Sequence, residues 1–272
     1  MIKWVHDFFL HKNERDISSG GVMDRLKDKV ALITGGSSGI GLATAELFLA
    51  EGAQIIVTGR DQQRMEEAQQ KLGPASLVVQ SEAGNLADID SLLAQIKGRF
   101  GRLDTLVLNA GIVNSGPFDA VDEARFDEVM TVNFKGAFFT IQKALPLMSA
   151  NSSIVLLTSI VTKVAASFFC PYAASKAALR SMMWTLAPDL VKRGIRLNAV
   201  APGPIDTGGF ERMGLSPELV AIKRDEMENR SPIKRFGRPD EVAKVLLFIA
   251  SDDASYVVGE EIFVDGAITC VP

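Results

Sequence analysis

The sequence predicts one α/β domain built on a doubly wound, parallel, seven-stranded sheet. Short apolar segments rich in Val and Ile alternate with longer segments of helical spacing, and a glycine-rich turn joins the first strand segment to the first helix. Strands buried on both faces read as continuous apolar runs, so this alternation implies a parallel sheet covered by helices on both sides. Right-handed crossovers make such a sheet doubly wound. A chain of 272 residues is long enough to bury a full core within one domain.

The elements follow in order. Val30–Thr34 is a short apolar strand, and apolar residues then recur at helical spacing from Ile40 to Ala50. Gln54–Thr58 supplies a second strand, Gln62–Leu72 a helix and Leu77–Gln80 a third strand. Ile89–Phe100 reads as helix and Leu103–Leu108 as the fourth strand. A helical region over roughly Asp122–Ser149 leads to the strand Ile154–Thr158, a helix beginning near Tyr172 runs to Val191, and Ile195–Val200 is the sixth strand. The segment from Ala201 to Pro239 breaks the rhythm. Pro202, Gly203, Pro204, Gly208, Gly209, Gly214, Pro217 and Pro232 leave room only for short helices such as Pro217–Glu228. A long irregular excursion after a sheet strand often covers an active site, so a substrate-side loop is expected at about residues 204–238. Pro239–Ala250 resumes as helix, and Glu261–Val264 is the last strand.

Composition excludes several functions. The net charge is -4 with scattered basic residues, which argues against a nucleic-acid partner. No apolar run approaches the roughly 18 residues of a membrane span. Cys170 and Cys270 are too few for a disulfide framework, so a reducing, cytoplasmic compartment is the simpler reading. Residues 1–23 carry an apolar cluster around Phe8 and Phe9 interrupted by Asp7, lack the features of a secretion signal, and read as a flexible, inessential extension before a domain at 24–272. The two histidines are His6 and His11. With no imidazole from residue 24 onward, a histidine general base, a Ser-His-Asp nucleophile and His-containing metal sites are disfavoured, and no metal is expected. Acid–base chemistry must come from Tyr, Lys, Cys or carboxylate.

The turn Thr34-Gly35-Gly36-Ser37-Ser38-Gly39-Ile40-Gly41 is a candidate nucleotide cradle. Gly35, Gly39 and Gly41 permit a tight turn and close approach of a pyrophosphate to backbone amides at the helix start, with Ser37, Ser38 and Ile40 alongside. An NAD-selective site generally carries a carboxylate at the end of the second strand, where this chain has Thr58-Gly59-Arg60. Arg60 can pair with a 2'-phosphate, which favours NADP(H) over NAD(H); a solvated arginine at a strand end is the bland alternative. Asn109-Ala110-Gly111 follows the fourth strand on the same sheet edge, where small residues let a flat ring or ribose lie close to the backbone.

Tyr172 and Lys176 are one helical turn apart, so their side chains share a face. A nearby ammonium stabilises phenolate and is expected to lower the tyrosine pKa. Ser159, after the fifth strand, can reach the same carbonyl or alcohol oxygen. Asn133 interrupts an apolar helix, where it holds either a water or a backbone bend; the residues alone leave structural and functional readings equal.

Together with Pro202-Gly203-Pro204-Ile205-Asp206-Thr207, this ordered set resembles the short-chain dehydrogenase/reductase family over essentially Leu26–Gly266. The resemblance implies a single Rossmann domain, a nicotinamide cofactor and oxidoreductase activity. It implies that Tyr172 is the general acid or base, that Lys176 holds the nicotinamide ribose and assists the tyrosine, that Ser159 orients substrate and that Asn133 supports a water-linked proton relay. Ile205 and Thr207 would lie beside the nicotinamide, and Pro202 and Gly203 would also contact the cofactor. Glu82-Ala83 stands where relatives carry Asp and a larger aliphatic residue, and would approach the adenine. No basic residue stands at Ser37 or Ser38, so the NADP(H) expectation depends chiefly on Arg60. The nearest resemblance is to 3-oxoacyl-carrier-protein reductase-like and sugar or alcohol dehydrogenases, commonly tetramers or dimers, and a homotetramer is carried over. The resulting expectation is NADP(H)-dependent interconversion of a ketone and a secondary alcohol. An NAD(H)-dependent sugar or alcohol dehydrogenase and a non-catalytic nucleotide-binding regulator are the alternatives.

Overall fold

The computed structural model describes residues 24–208 and 216–270. The extension 1–23 and residues 209–215 of the expected substrate-side loop lie outside them. Seven strands form one parallel sheet in the order β3-β2-β1-β4-β5-β6-β7, as expected of a Rossmann fold. They are β1 (Val30–Thr34), β2 (Gln54–Gly59), β3 (Leu77–Gln80), β4 (Thr105–Leu108), β5 (Ser153–Leu157), β6 (Arg196–Pro202) and β7 (Glu261–Val264). β1 is wholly buried because helices cover both faces, which is why its sequence has no polar alternation.

The helices are α1 (Gly39–Ala50), α2 (Gln62–Leu72), α3 (Leu86–Phe100), α4 (Glu123–Met130), α5 (Gly136–Ala144), α6 (Cys170–Val191), α7 (Pro217–Arg230) and α8 (Pro239–Ala250). One core layer joins Ile89, Ile96, Ile141, Leu179 and Met183 to the sheet; the other joins Ala45, Phe48, Val242 and Leu246. Chain direction across the sheet reverses between β1 and β4. The loops leaving these neighbours diverge and open a crevice at the carboxyl edge.

Several boundaries depart from the sequence reading for identifiable reasons. α3 begins at Leu86, ahead of Ile89, because the Asn85 side chain accepts a hydrogen bond from the Ala87 amide at 2.9 Å and caps the helix. β4 begins at Thr105 because the Leu103 amide donates instead to the Leu147 carbonyl, at 2.8 Å. The expected continuous helix over Asp122–Ser149 is α4, a π-helical turn at Thr131–Lys135, α5 and a short 3-10 turn, Leu145–Leu147. The π turn carries Asn133, so this amide marks a change of helical pitch.

Candidate active site

A cleft of about 620 Å³ opens at the carboxyl ends of β1, β2, β4, β5 and β6. Its floor is the turn between β1 and α1. Gly35 adopts φ +63°, and a Cβ there would sit 2.9 Å from the Ala110 Cα, so the two loops approach only because the side chain is absent. The Gly35 amide donates to Thr58 Oγ1 at 3.1 Å. Asn109 Nδ2 donates to the Thr34 and Gly35 carbonyls, each at 2.9 Å. Asn109 thus braces the glycine turn as well as lining the cleft. At the start of α1, Ser38 makes no side-chain cap hydrogen bond and no acidic residue occupies the first turn. Those amides and the positive end of the helix are suited to an anion.

Gly35, Ser37, Ser38, Gly39, Ile40, Arg60, Glu82, Ala83, Asn109, Ala110, Gly111, Pro202, Gly203, Ile205 and Thr207 all line the cleft, as do Ser159, Tyr172 and Lys176. Gly41 and Asn133 are not among the residues that line the cleft. A Cβ on Gly41 would meet Asn109 Nδ2 at 2.5 Å, so this glycine lets α1 pack against the loop after β4. Sequence reasoning missed Thr58, Arg64, Ile112, Val113 and Thr158, which also line the cleft. All but Arg64 end a cleft-edge strand or closely follow one, a cue that was present. Arg64 is brought in by the Asp61 cap of α2, whose Oδ1 accepts from the Arg64 amide at 2.9 Å.

The two ends of the cleft differ in charge and burial. At one end Arg60 Nη1 lies 3.4 Å from Glu82 Oε2, with both side chains substantially exposed. At the other, Lys176 is buried and its Nζ donates to the Leu157 carbonyl at 2.7 Å, 5.7 Å from the Tyr172 ring centroid. Burial lowers the Lys176 pKa to about 8. Burial raises the Tyr172 phenol above its ordinary value, and the nearby Ser159 side chain opposes this without overcoming it. The expected lowering by Lys176 is therefore not realised. The ammonium is engaged by a carbonyl, and desolvation disfavours phenolate.

Asn133 is spoken for. Its Oδ1 accepts from the Ile112 amide at 2.8 Å, and its Nδ2 donates to the Ile112 carbonyl and to Ser175 Oγ, each at 3.0 Å. Ser175 Oγ in turn donates to the Tyr172 carbonyl at 2.7 Å. The residue clamps the loop after β4 to helix α6.

Comparison with known proteins agrees with this geometry. A sequence-family description, enoyl-(acyl carrier protein) reductase, matches residues 35–269. The chain belongs to the short-chain dehydrogenase/reductase family. It is 39% identical over 249 residues to a 3-oxoacyl-(acyl-carrier-protein) reductase of Thermotoga maritima, covering 90% of this chain and 99% of that one. It is 34% identical to galactitol 2-dehydrogenase of Agrobacterium fabrum, over 89% of this chain and 98% of that enzyme. A glucose/ribitol dehydrogenase-type short-chain enzyme from Brucella melitensis superposes with a TM-score of 0.84 at 34% identity, covering 90% of this chain and 98% of the other. As a short-chain dehydrogenase/reductase, the protein is an NAD(P)-dependent oxidoreductase of small carbonyl or alcohol substrates. Among the described residues there is no cluster of metal-ligating side chains, and no helix is long and apolar enough to cross a membrane.

Proposed function

We propose that the protein is an NADP(H)-dependent reductase that converts a ketone to a secondary alcohol, with Tyr172 as the general acid. The observation that carries this reading is the meeting of Ser159, Tyr172 and Lys176 at one end of a cleft whose other end holds a glycine turn and an uncapped helix start. Nicotinamide, when bound, supplies the hydride. The Ser159 and Tyr172 hydroxyls hold the carbonyl oxygen, and Tyr172 gives it a proton. Burial keeps the Tyr172 phenol protonated at neutral pH, the form a proton donor needs in the reductive direction. Lys176, at about 8, still carries its charge for the most part at pH 7 and opposes negative charge left on the phenol oxygen. Asn133 acts on the reaction by fixing the β4 loop to the helix that carries Tyr172 and Lys176.

At the adenosine end Arg60 and Arg64 supply two cations toward a 2'-phosphate. Glu82 competes for Arg60 at 3.4 Å, the observation that favours the second reading, an NAD(H)-linked sugar or alcohol dehydrogenase. Exposed Phe126, Phe138, Trp184 and Val191 on α4, α5 and α6 give apolar surface for a second copy, in keeping with a homotetramer. Both cysteines are free thiols, in keeping with a reducing cytoplasm.

The test is an absorbance assay of NADPH and NADH oxidation against 3-oxoacyl thioesters, keto-sugars and cyclic ketones, with cofactor binding titrated in parallel. Oxidation of NADPH by at least one ketone class supports the proposal. Tight cofactor binding with no turnover on any class would point to a nucleotide-binding regulator instead.

A further inference from the structure

We propose that Glu261, through Thr162 and Arg180, is a positioning residue that sets Ser159 against Tyr172, a role that rests on the chemistry proposed above for that pair. Glu261 opens β7 and is buried, although it pairs in register with apolar Ala199 of β6. A carboxylate in such a place is costly unless every oxygen is matched, and a side chain without charge would sit there at less cost.

Its partners surround Ser159. Thr158 Oγ1, on the residue immediately before Ser159, lies 2.6 Å from Glu261 Oε1. Thr162 Oγ1 lies 2.8 Å from the Ser159 carbonyl and 3.2 Å from each carboxylate oxygen, acceptors that share its single hydroxyl proton. Arg180 Nε stands 3.1 Å from Glu261 Oε2, while Arg180 Nη1 donates to the Thr162 carbonyl at 2.9 Å. Arg180 lies on α6 one turn beyond Lys176 and two beyond Tyr172, and its guanidinium stacks on Trp184 at 4.4 Å. The single carboxylate therefore ties the end of β5, the Ser159 turn and the helix of Tyr172 together. Local contacts do not replace it. The one hydrogen bond that the Ser159 hydroxyl accepts is long, from the Val161 amide at 3.4 Å.

The chain has two tyrosines, and Tyr256 is fully exposed, so a Tyr256→Phe background leaves Tyr172 as the sole phenol. In that background the phenolate absorbance is titrated for Thr162→Val, Thr162→Ser and Glu261→Gln, with circular dichroism reporting the fold. The Ser159 side chain opposes the upward shift of Tyr172, so Thr162→Val and Glu261→Gln, by moving that side chain away, should send the titration further up, and Thr162→Ser should restore it. With NADPH and whichever ketone class is reduced in the assay above, Thr162→Val should lower kcat by roughly tenfold with KM for NADPH nearly unchanged. The same substitution should add nothing to Ser159→Ala, because both act through one hydroxyl. An unmoved phenol together with fully additive losses in the double variant would overturn the positioning role alone. A Ser159→Ala enzyme as fast as wild type would overturn the role of Ser159 itself, and the proposal with it.

Discussion

The cleft has a cation near each end, and the two are governed by different physics. Arg60 and Glu82 are exposed by 55% and 40% and lie 3.4 Å apart, so water screens their attraction and the pair contributes about 0–1 kcal/mol. A 2'-phosphate can replace Glu82 at small cost. Lys176 is buried against a carbonyl, and its displacement from 10.5 to about 8 corresponds to roughly 3 kcal/mol held against the fold, at 1.36 kcal/mol per unit. The exposed pair can exchange partners, whereas the buried cation is held in one place, beside the tyrosine proposed to move a proton.

The strongest way to break this contrast is Lys176→Met. Turnover should fall by at least about 100-fold. Stability should behave differently. Because the folded pKa lies below the unfolded one, the wild-type penalty is present in full below pH 8 and is relieved as pH rises from about 8 to 10.5. The variant lacks that group, so wild type should gain on it by up to about 3 kcal/mol across this window in denaturant unfolding. A constant difference between the two curves would show that Lys176 is not desolvated.

Arg60→Ala probes the exposed end. It should weaken NADP(H) by about 1–3 kcal/mol, the scale of a charged hydrogen bond, and leave NAD(H) nearly unchanged in parallel titrations. Equal losses for both cofactors would remove Arg60 as the discriminator. Glu82→Gln sharpens the same point with the smallest expected effect. Freed from its carboxylate, Arg60 should bind NADP(H) up to about fivefold tighter, with NAD(H) unaffected. A shift shared by both cofactors would instead assign Glu82 to the adenine they have in common.

The fold was legible where local pattern decides it. The Val30–Thr34 run and the glycine turn specify β1 and the start of α1 from neighbouring residues alone. The Ser159, Tyr172 and Lys176 set was legible because Ser159 follows a strand end and the other two lie four residues apart in the first turns of one helix. What sequence did not show depends on long-range contact or on burial. Asn133 meets Ile112 and Ser175, 21 and 42 positions away, so its clamp has no local signature. Gly41 has the spacing of a ligand glycine, but its close approach to Asn109 has no local signature. The direction of the Tyr172 shift follows from desolvation, which spacing does not reveal. The reach of Glu82 to Arg60 and of Glu261 to Thr158 is likewise set by the sheet.

The central claim, that the Tyr172 hydroxyl delivers the proton, is tested most directly by Tyr172→Phe. NADPH binding, followed by cofactor fluorescence, should stay within about threefold of wild type because the ring and the glycine turn remain. Ketone reduction measured on the same preparation should fall by at least about 100-fold, since only the proton-transfer hydroxyl is gone. Near-normal reduction by a folded, NADPH-binding Tyr172→Phe enzyme would contradict the account.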